Sequence, residues 1–342
     1  GQGTIVPMNI VILDDYQDVV RKLDCASKLD AYSAKVYTNT VKGLGQLSVR
    51  LKDADILVLI RERTHLNRQL IEKLPRLKLI SQTGHAGSHI DLEACTERGI
   101  AVAQGTGSPY APAELTWALV MAAARRLPQY IGNLKHGAWQ QSGLKAASMP
   151  ANFGLGTVLR GRTMGIWGYG KIGQLVAGYA KAFGMQVLVW GSESSRSKAV
   201  QDGYMPAATR EAFFEQSDVI SLHLRLNDAT RGIVNLEDLS RMKTSAMIVN
   251  TSRAELIEPD ALISALNRGR PGLAAIDVFE HEPILQGHAL LRLENCICTP
   301  HIGYVERDNY ELYFGAAFDN VVNFIKGTPT NIVNPGALQV RR

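Results

Sequence analysis

Long apolar runs are missing from this 342-residue chain. No stretch approaches the ~18 consecutive apolar residues a membrane helix needs, so no membrane partner is expected. The first apolar run, Ile10 to Leu13, stops at Asp14-Asp15 and has no signal-peptide pattern. Cysteine is scarce. The four present (Cys25, Cys95, Cys296, Cys298) have neither metal-ligand spacing nor the look of a disulfide framework. That predicts no metal site and a reducing, cytoplasmic setting. Charge is not concentrated either. Lys and Arg number 37 against 32 Asp and Glu, and the densest basic cluster is the Arg341-Arg342 tail. The net charge of +5 gives nucleic-acid binding little support, while a basic site for a small anion fits. Short-period repeats and low-complexity tracts are absent as well.

What the chain does have is a recurring alternation. Its length suggests two domains. The segments "NIVILDD" (9–15), "AKVYTNT" (34–40), "ADILVLI" (54–60), "LKLISQTG" (77–84) and "IAVAQG" (100–105) read as strands. Stretches such as Asn67 to Leu74 and Asp91 to Arg98 read as helices between them. A second series follows: "TMGIWG" (163–168), "MQVLVW" (185–190), "DVISLHL" (218–224), "AMIVNTS" (246–252), "LAAIDVF" (273–279) and "CICTP" (296–300). Strands alternating with helices imply parallel sheets covered on both faces. The expected fold class is α/β, with two doubly wound parallel-sheet domains. Between the series, Pro109 and Pro112 open a long apolar helix that Pro128 limits, suited to burial between domains or against another subunit. The last segment, "NYELYFGAAFDNVVNFIKG" (309–327), is helical without a strand of its own and is expected to pack back onto the first unit.

The stretch "IWGYGKIG" (166–173) places three glycines directly behind an apolar strand and ahead of a helical segment. In that context G-x-G-x-x-G is a dinucleotide-binding turn. Gly168 permits the bend, Gly170 admits a pyrophosphate and Gly173 lets the helix pack on the sheet. The helix N-terminus supplies amide N–H groups to the phosphates. An acidic residue is expected at the tip of the second strand, on the ribose, yet "VLVWGSESSR" has Gly191 there. Glu193 could substitute, or Ser192, Ser195 and Arg196 could hold a 2′-phosphate, so NAD and NADP both stay open.

Three polar residues lie just beyond strand ends of the second series, where ligands of open α/β sheets bind. Arg253 follows "AMIVNTS"; its planar fork suits a carboxylate and can polarise an adjacent carbonyl. Glu282 follows "AAIDVFEH" and precedes a proline that keeps it out of a helix. His301 follows "CICTP". A histidine paired with a carboxylate makes a general acid that can protonate a carbonyl oxygen as hydride reaches its carbon.

Together and in this order, "GYGKIG", "VNTSRAELIEPDAL", "AAIDVFEHEP" and "TPHIG" resemble the D-isomer-specific 2-hydroxyacid dehydrogenase family over nearly the whole chain. The resemblance implies a flavodoxin-like substrate-binding domain (1–107 plus 309–342) and a Rossmann NAD(P)-binding domain (108–308). It implies a homodimer formed through the helix near 112–126. Arg253 would hold substrate, His301 would be the acid/base that also meets substrate, and Glu282 would orient and charge His301. Tyr169, Lys171 and Ile172 would join Gly168, Gly170 and Gly173 in the phosphate loop. His223, Thr251, Thr230 and Gly303 would border the cofactor, Asp277 would contact the nicotinamide amide, and Arg225 could add positive charge nearby.

Substrate choice rests on "LIRERTHL" (59–66), where Arg61 and Arg63, two apart at a strand end, would face the same side. The segment is similar to one with which D-3-phosphoglycerate dehydrogenases meet their anionic substrate. His85, Ala86 and Gly87 stand in the family's carboxylate-binding loop, although the Asp/Asn usual there is missing. The segment 140–161 is longer than the family leads one to expect and suits wrapping a partner subunit. The expected reaction interconverts a D-2-hydroxyacid and its 2-oxoacid, with D-3-phosphoglycerate to 3-phosphohydroxypyruvate as the leading case and no C-terminal regulatory domain. Glyoxylate or hydroxypyruvate reduction is the neighbouring alternative. An NAD-sensing corepressor is the alternative from another class, and no interaction tail is evident to favour it.

Overall fold

A computed structural model describes residues 7–142 and 154–342. The chain divides into two compact units, 1–108 with 306–342 and 109–305. The first unit runs β1 (Asn9–Ile12), β2 (Ser33–Val36), α1 (Leu44–Leu51), β3 (Ile56–Ile60), α2 (Arg68–Ile71), β4 (Leu79–Thr83), α3 (Leu92–Glu97) and β5 (Ala101–Ala103). These five strands form one parallel sheet in the order β2-β1-β3-β4-β5. Every residue of β3 and β4 is buried, as strands covered on both faces must be.

The second unit opens with α4 (Tyr110–Ala124) and α5 (Leu127–Lys135). It continues through β6 (Thr163–Trp167), α6 (Lys171–Ala182), β7 (Gln186–Trp190), α7 (Glu193–Gln201), β8 (Met205–Pro206), α8 (Arg210–Gln216) and β9 (Val219–Leu222). Last come α9 (Leu236–Ser240), β10 (Met247–Asn250), α10 (Ala261–Asn267), β11 (Leu273–Ile276) and β12 (Cys296–Cys298). Seven parallel strands pair in the order β12-β11-β10-β9-β6-β7-β8. The order reverses beside β6, so the glycine turn that follows β6 sits at the switch point where such sheets take ligands. The chain then returns to the first unit as α11 (Arg307–Ile325), which packs on the segment Asp24–Leu29 and on β4. Ser81 makes that docking specific, donating through Oγ to the carbonyl of Ala317 at 2.8 Å.

The two α/β sheets agree with the sequence reading, and three details differ. The long helix is two helices: Arg126 adopts a left-handed conformation (φ 56°), and Pro128 sits in the first turn of α5 rather than ending the run. A proline there loses no hydrogen bond. One face of α4, including Ala113, Thr116, Leu119 and Val120, is buried in its own unit's core. The two-residue β8 carries too little pattern to be read in advance. Finally, β3 ends at Ile60, so Arg61 and Arg63 do not alternate along a strand. Arg61 has φ 48°, which breaks the period-two geometry. The two guanidiniums diverge: Arg61 lies over the Tyr313 ring, whereas Arg63 donates to the Asp14 carbonyl and lies over Tyr16. Of the long segment 140–161, residues 143–153 fall outside the described residues. Among the described residues no helix is long and apolar enough to cross a membrane.

Candidate active site

The turn after β6 is built around glycine. Gly168 has φ +95°, and a Cβ there would sit 2.2 Å from the backbone oxygen of His223. A Cβ at Gly173 would meet the carbonyl oxygen of Gly168 at 2.5 Å. Gly170 differs: a Cβ there meets nothing within 4 Å, and no side chain caps the N-terminus of α6. The unobstructed turn and uncapped amides fit a dinucleotide pyrophosphate. Lys171 and Ile172 form the first turn of α6. Tyr169 turns inward, donating its hydroxyl to Asp202 Oδ2 at 2.5 Å; burial and that carboxylate raise its pKa.

Beyond β7, Ser192 is the N-cap of α7 and accepts from the Ser195 amide at 3.1 Å. Arg196 lies 5.0 Å over the Trp190 ring, and its Nε is buried without a hydrogen-bond partner. After β9, the His223 ring shares a 2.8 Å hydrogen bond with Ser221, and burial pushes its pKa down to about 4. Arg225 is exposed, and its carbonyl accepts from the Thr230 hydroxyl at 2.6 Å, closing the following turn. Thr251, after β10, meets Thr116 of α4 hydroxyl to hydroxyl at 2.7 Å.

His301 and Glu282 come together. Glu282 Oε2 lies 2.6 Å from His301 Nδ1, and its Oε1 accepts from the Phe279 amide at 2.9 Å. Burial alone would raise the Glu282 pKa; the hydrogen bond and charge of His301, the Phe279 amide and the charge of Arg253 outweigh it and hold it below the ordinary range. His301 has φ 52°, a conformation that its loop must hold. Asp277 supplies that hold. Its Oδ1 accepts from Thr299 Oγ1 at 2.7 Å and from the Ile302 amide at 2.8 Å, and its Oδ2 accepts from the Gly303 amide at 3.0 Å. Burial raises the Asp277 pKa against the lowering effect of these donors. Its carboxylate is thus committed to the loop carrying His301.

Arg253 stands in extended backbone ahead of the short turn Ala254–Leu256. Its carbonyl accepts from buried Asn250 Nδ2 at 2.9 Å. Asn250 Oδ1 also accepts from the Ser252 amide at 3.1 Å, and Ser252 Oγ donates to the Leu222 carbonyl. Asn250, Ser252, Thr299 and Asp277 thus position the charged side chains. The first three lay inside the motifs without being singled out, because a sequence does not display hydrogen bonds.

In the first unit the Arg61 amide donates to Thr83 Oγ1 at 3.0 Å, and its carbonyl accepts from Gln82 Nε2 at 2.7 Å. The guanidinium approaches Gly84, where a Cβ would lie 2.8 Å from Nη1. His85 is exposed, the Ala86 amide donates to Gln104 Oε1 at 3.1 Å, and a Cβ at Gly87 would press on Glu62.

The profile of the D-isomer specific 2-hydroxyacid dehydrogenase NAD-binding domain matches residues 117–303. Glyoxylate reductase of Aeropyrum pernix is 35% identical over 86% of this chain and 87% of its own. The chain belongs to the D-isomer specific 2-hydroxyacid dehydrogenase family. D-3-phosphoglycerate dehydrogenase of Methanocaldococcus jannaschii is 39% identical over 75% of this chain but only 47% of its own length. A solved Ralstonia solanacearum protein, provisionally designated a D-3-phosphoglycerate dehydrogenase oxidoreductase, is 64% identical, with TM-score 0.95 over 97% of this chain and 98% of that one. The second unit is therefore an NAD-binding domain, and the protein is an oxidoreductase of this family.

Proposed function

We propose that the protein interconverts D-3-phosphoglycerate and 3-phosphohydroxypyruvate, with His301 as acid/base, Glu282 as its charged partner and Arg253 as the substrate-carboxylate ligand. The observation that carries this reading is the 2.6 Å His301–Glu282 pair, formed in the unit that also carries the Gly168–Gly173 turn. The nicotinamide supplies or takes the hydride. Everything else falls to side chains of this chain. A carboxylate on Nδ1 leaves His301 Nε2 as the position from which a proton can reach a carbonyl oxygen. Arg253 can grip a carboxylate with two parallel N–H groups and draw electron density from the neighbouring carbonyl. We propose Gly168, Tyr169, Gly170, Lys171, Ile172, Gly173, Ser192, Arg196, His223, Arg225, Thr230, Thr251, Asp277 and Gly303 as the cofactor neighbourhood. His85, Ala86 and Gly87 are the proposed carboxylate loop.

The cofactor site is proposed to take NADP as well as NAD. Gly191 leaves no carboxylate at the end of β7 to repel a 2′-phosphate, and Arg196 is at hand beside it. We further propose a homodimer. Leu127, Ile131 and Leu134 repeat at helical spacing along α5 and are 46%, 54% and 56% exposed, an apolar stripe that suits a partner.

Arg61 is the proposed ligand of the substrate phosphate. Steady-state assays with NAD(H) and NADP(H) against phosphorylated and unphosphorylated 2-hydroxyacids and 2-oxoacids test this. Phosphoglycerate or phosphohydroxypyruvate is expected to give the highest kcat/KM, and Arg61→Ala is expected to lower it by ~10-fold or more, mainly through KM, on loss of a charge-assisted contact. Equal turnover of phosphoglycerate by Arg61→Ala, with Arg253→Ala inactive, would overturn the phosphate assignment. A preference for glyoxylate or hydroxypyruvate would instead favour a glyoxylate or hydroxypyruvate reductase, the first being the name of the Aeropyrum relative.

A further inference from the structure

Two of the four cysteines stand in β12, three and five residues before His301. Cys296 and Cys298 are two apart in a strand, so both side chains leave the same face. Their sulfurs lie 3.8 Å apart. Cys296 is buried and Cys298 half-buried, so Cys298 is the more exposed residue of the pair. The other two thiols are poor competitors: Cys25 and Cys95 are buried in the first unit, and burial pushes each pKa up to about 12. Cys298 goes the other way, because the hydrogen bond it shares with Cys296 lowers its pKa despite burial. The thiolate is the reactive form of cysteine.

We propose that Cys296 and Cys298 are a site of reversible oxidation to an intrachain disulfide that switches the dehydrogenase off. With hydrogen peroxide as oxidant, the Cys298 thiolate attacks one oxygen. The O–O bond breaks, hydroxide leaves to become water, and Cys298 becomes a sulfenic acid. The Cys296 sulfur, giving up its proton, then attacks the Cys298 sulfur and displaces a second water. The two sulfurs lose two electrons, and one peroxide is reduced to two waters.

The strand must distort to close this bond. Residues two apart in an extended strand have Cα atoms ~6.6 Å apart, at the upper end of what a disulfide spans. Their Cβ atoms must also come nearer to each other than an extended backbone allows. β12 can yield because it is an edge strand, paired only with β11 at Ala274–Cys296, Ala275–Ile297 and Ile276–Cys298. The chain leads from Cys298 straight into Thr299, whose amide donates to the Ile276 carbonyl at 3.0 Å and whose hydroxyl donates to Asp277 at 2.7 Å. Those bonds belong to the set that holds His301. A kink at 296–298 therefore reaches the proposed acid/base in the reduced enzyme's own loop. Such transient disulfides are the kind a reducing compartment supports.

The test treats the full chain with stoichiometric hydrogen peroxide and reads three quantities. Free thiols under denaturing conditions are expected to fall from four to two. Intact mass is expected to drop by ~2 Da, as loss of two hydrogens in one disulfide requires, with peptide mapping linking 296 to 298. Turnover of the best substrate is expected to fall at least tenfold and to recover with dithiothreitol. Cys298→Ser, Cys298→Ala and Cys296→Ala are expected to keep basal turnover and to form no disulfide. The thiol count and mass need no substrate, so they stand even where the substrate assignment above fails. A disulfide that leaves turnover unchanged, oxidation at Cys25 or Cys95, or inactivation that persists in the Cys298 variants would overturn the proposal.

Discussion

At the scale of single residues, much of the site is held together by hydrogen bonds within the chain itself. Asp277 gives three hydrogen bonds' worth of acceptor capacity to the loop carrying His301, and Asn250 fixes the backbone at Arg253. The charged trio was legible in the sequence because each member follows an apolar run and is costly to place there without a task. Its supporting residues were not, since Asn250 and Thr299 look like ordinary strand-end polar residues until their partners are known. His223 yields a test of burial itself. Its pKa falls from 6.5 to about 4 on folding. Above pH 6.5 the ring is neutral in both states and has no effect on stability. As pH drops through that range the unfolded chain takes up a proton that the folded chain refuses, so stability declines until about pH 4. In apo-protein denaturant titrations, the parent is expected to lose stability relative to His223→Asn between those values. Parallel curves would show that the ring is open to water.

At the scale of elements, the glycine turn and the helix that follows it form one device. The strand–glycine–helix order was readable because a 2.0-residue period gives way to a 3.6-residue one across the motif. The end of α4 was readable from Pro128, whose missing N–H cannot bond the Ala124 carbonyl; the restart as α5 was not, because nothing in "AARRLP" announces the left-handed Arg126 that redirects the chain. The same limit explains Arg61, whose conformation is set by bonds to Thr83 and Gln82 from a neighbouring strand. Two substitutions separate fold from binding in the turn. Gly168→Ala puts a methyl into the His223 carbonyl at a positive φ, and is expected to lower Tm and abolish NADH binding together. Gly170→Ala meets open space, and is expected to melt like the parent while NADH fluorescence titration shows weakened binding. Unchanged affinity in Gly170→Ala would place the pyrophosphate elsewhere.

At the scale of the whole molecule, the chain makes two self-contained α/β units and crosses between them twice, at 108–109 and 305–306. The alternating pattern announced both sheets, and the strandless final segment announced the return of α11. The proposed self-association rests on the exposed α5 stripe. Ile131→Asp is expected to convert the proposed dimer to a monomer in sedimentation velocity runs, with Tm of the monomer little changed because Ile131 is exposed. A parent that sediments as a monomer would remove the homodimer from the account. The central claim remains proton transfer by the imidazole that Glu282 holds at 2.6 Å. Its most direct test is 2-oxoacid reduction by His301→Asn, with cofactor affinity measured in parallel. Removal of a general acid is expected to cost ~10²–10⁴ in kcat while the Kd for NADH stays within about twofold; turnover within a few-fold of the parent would contradict the assignment of His301.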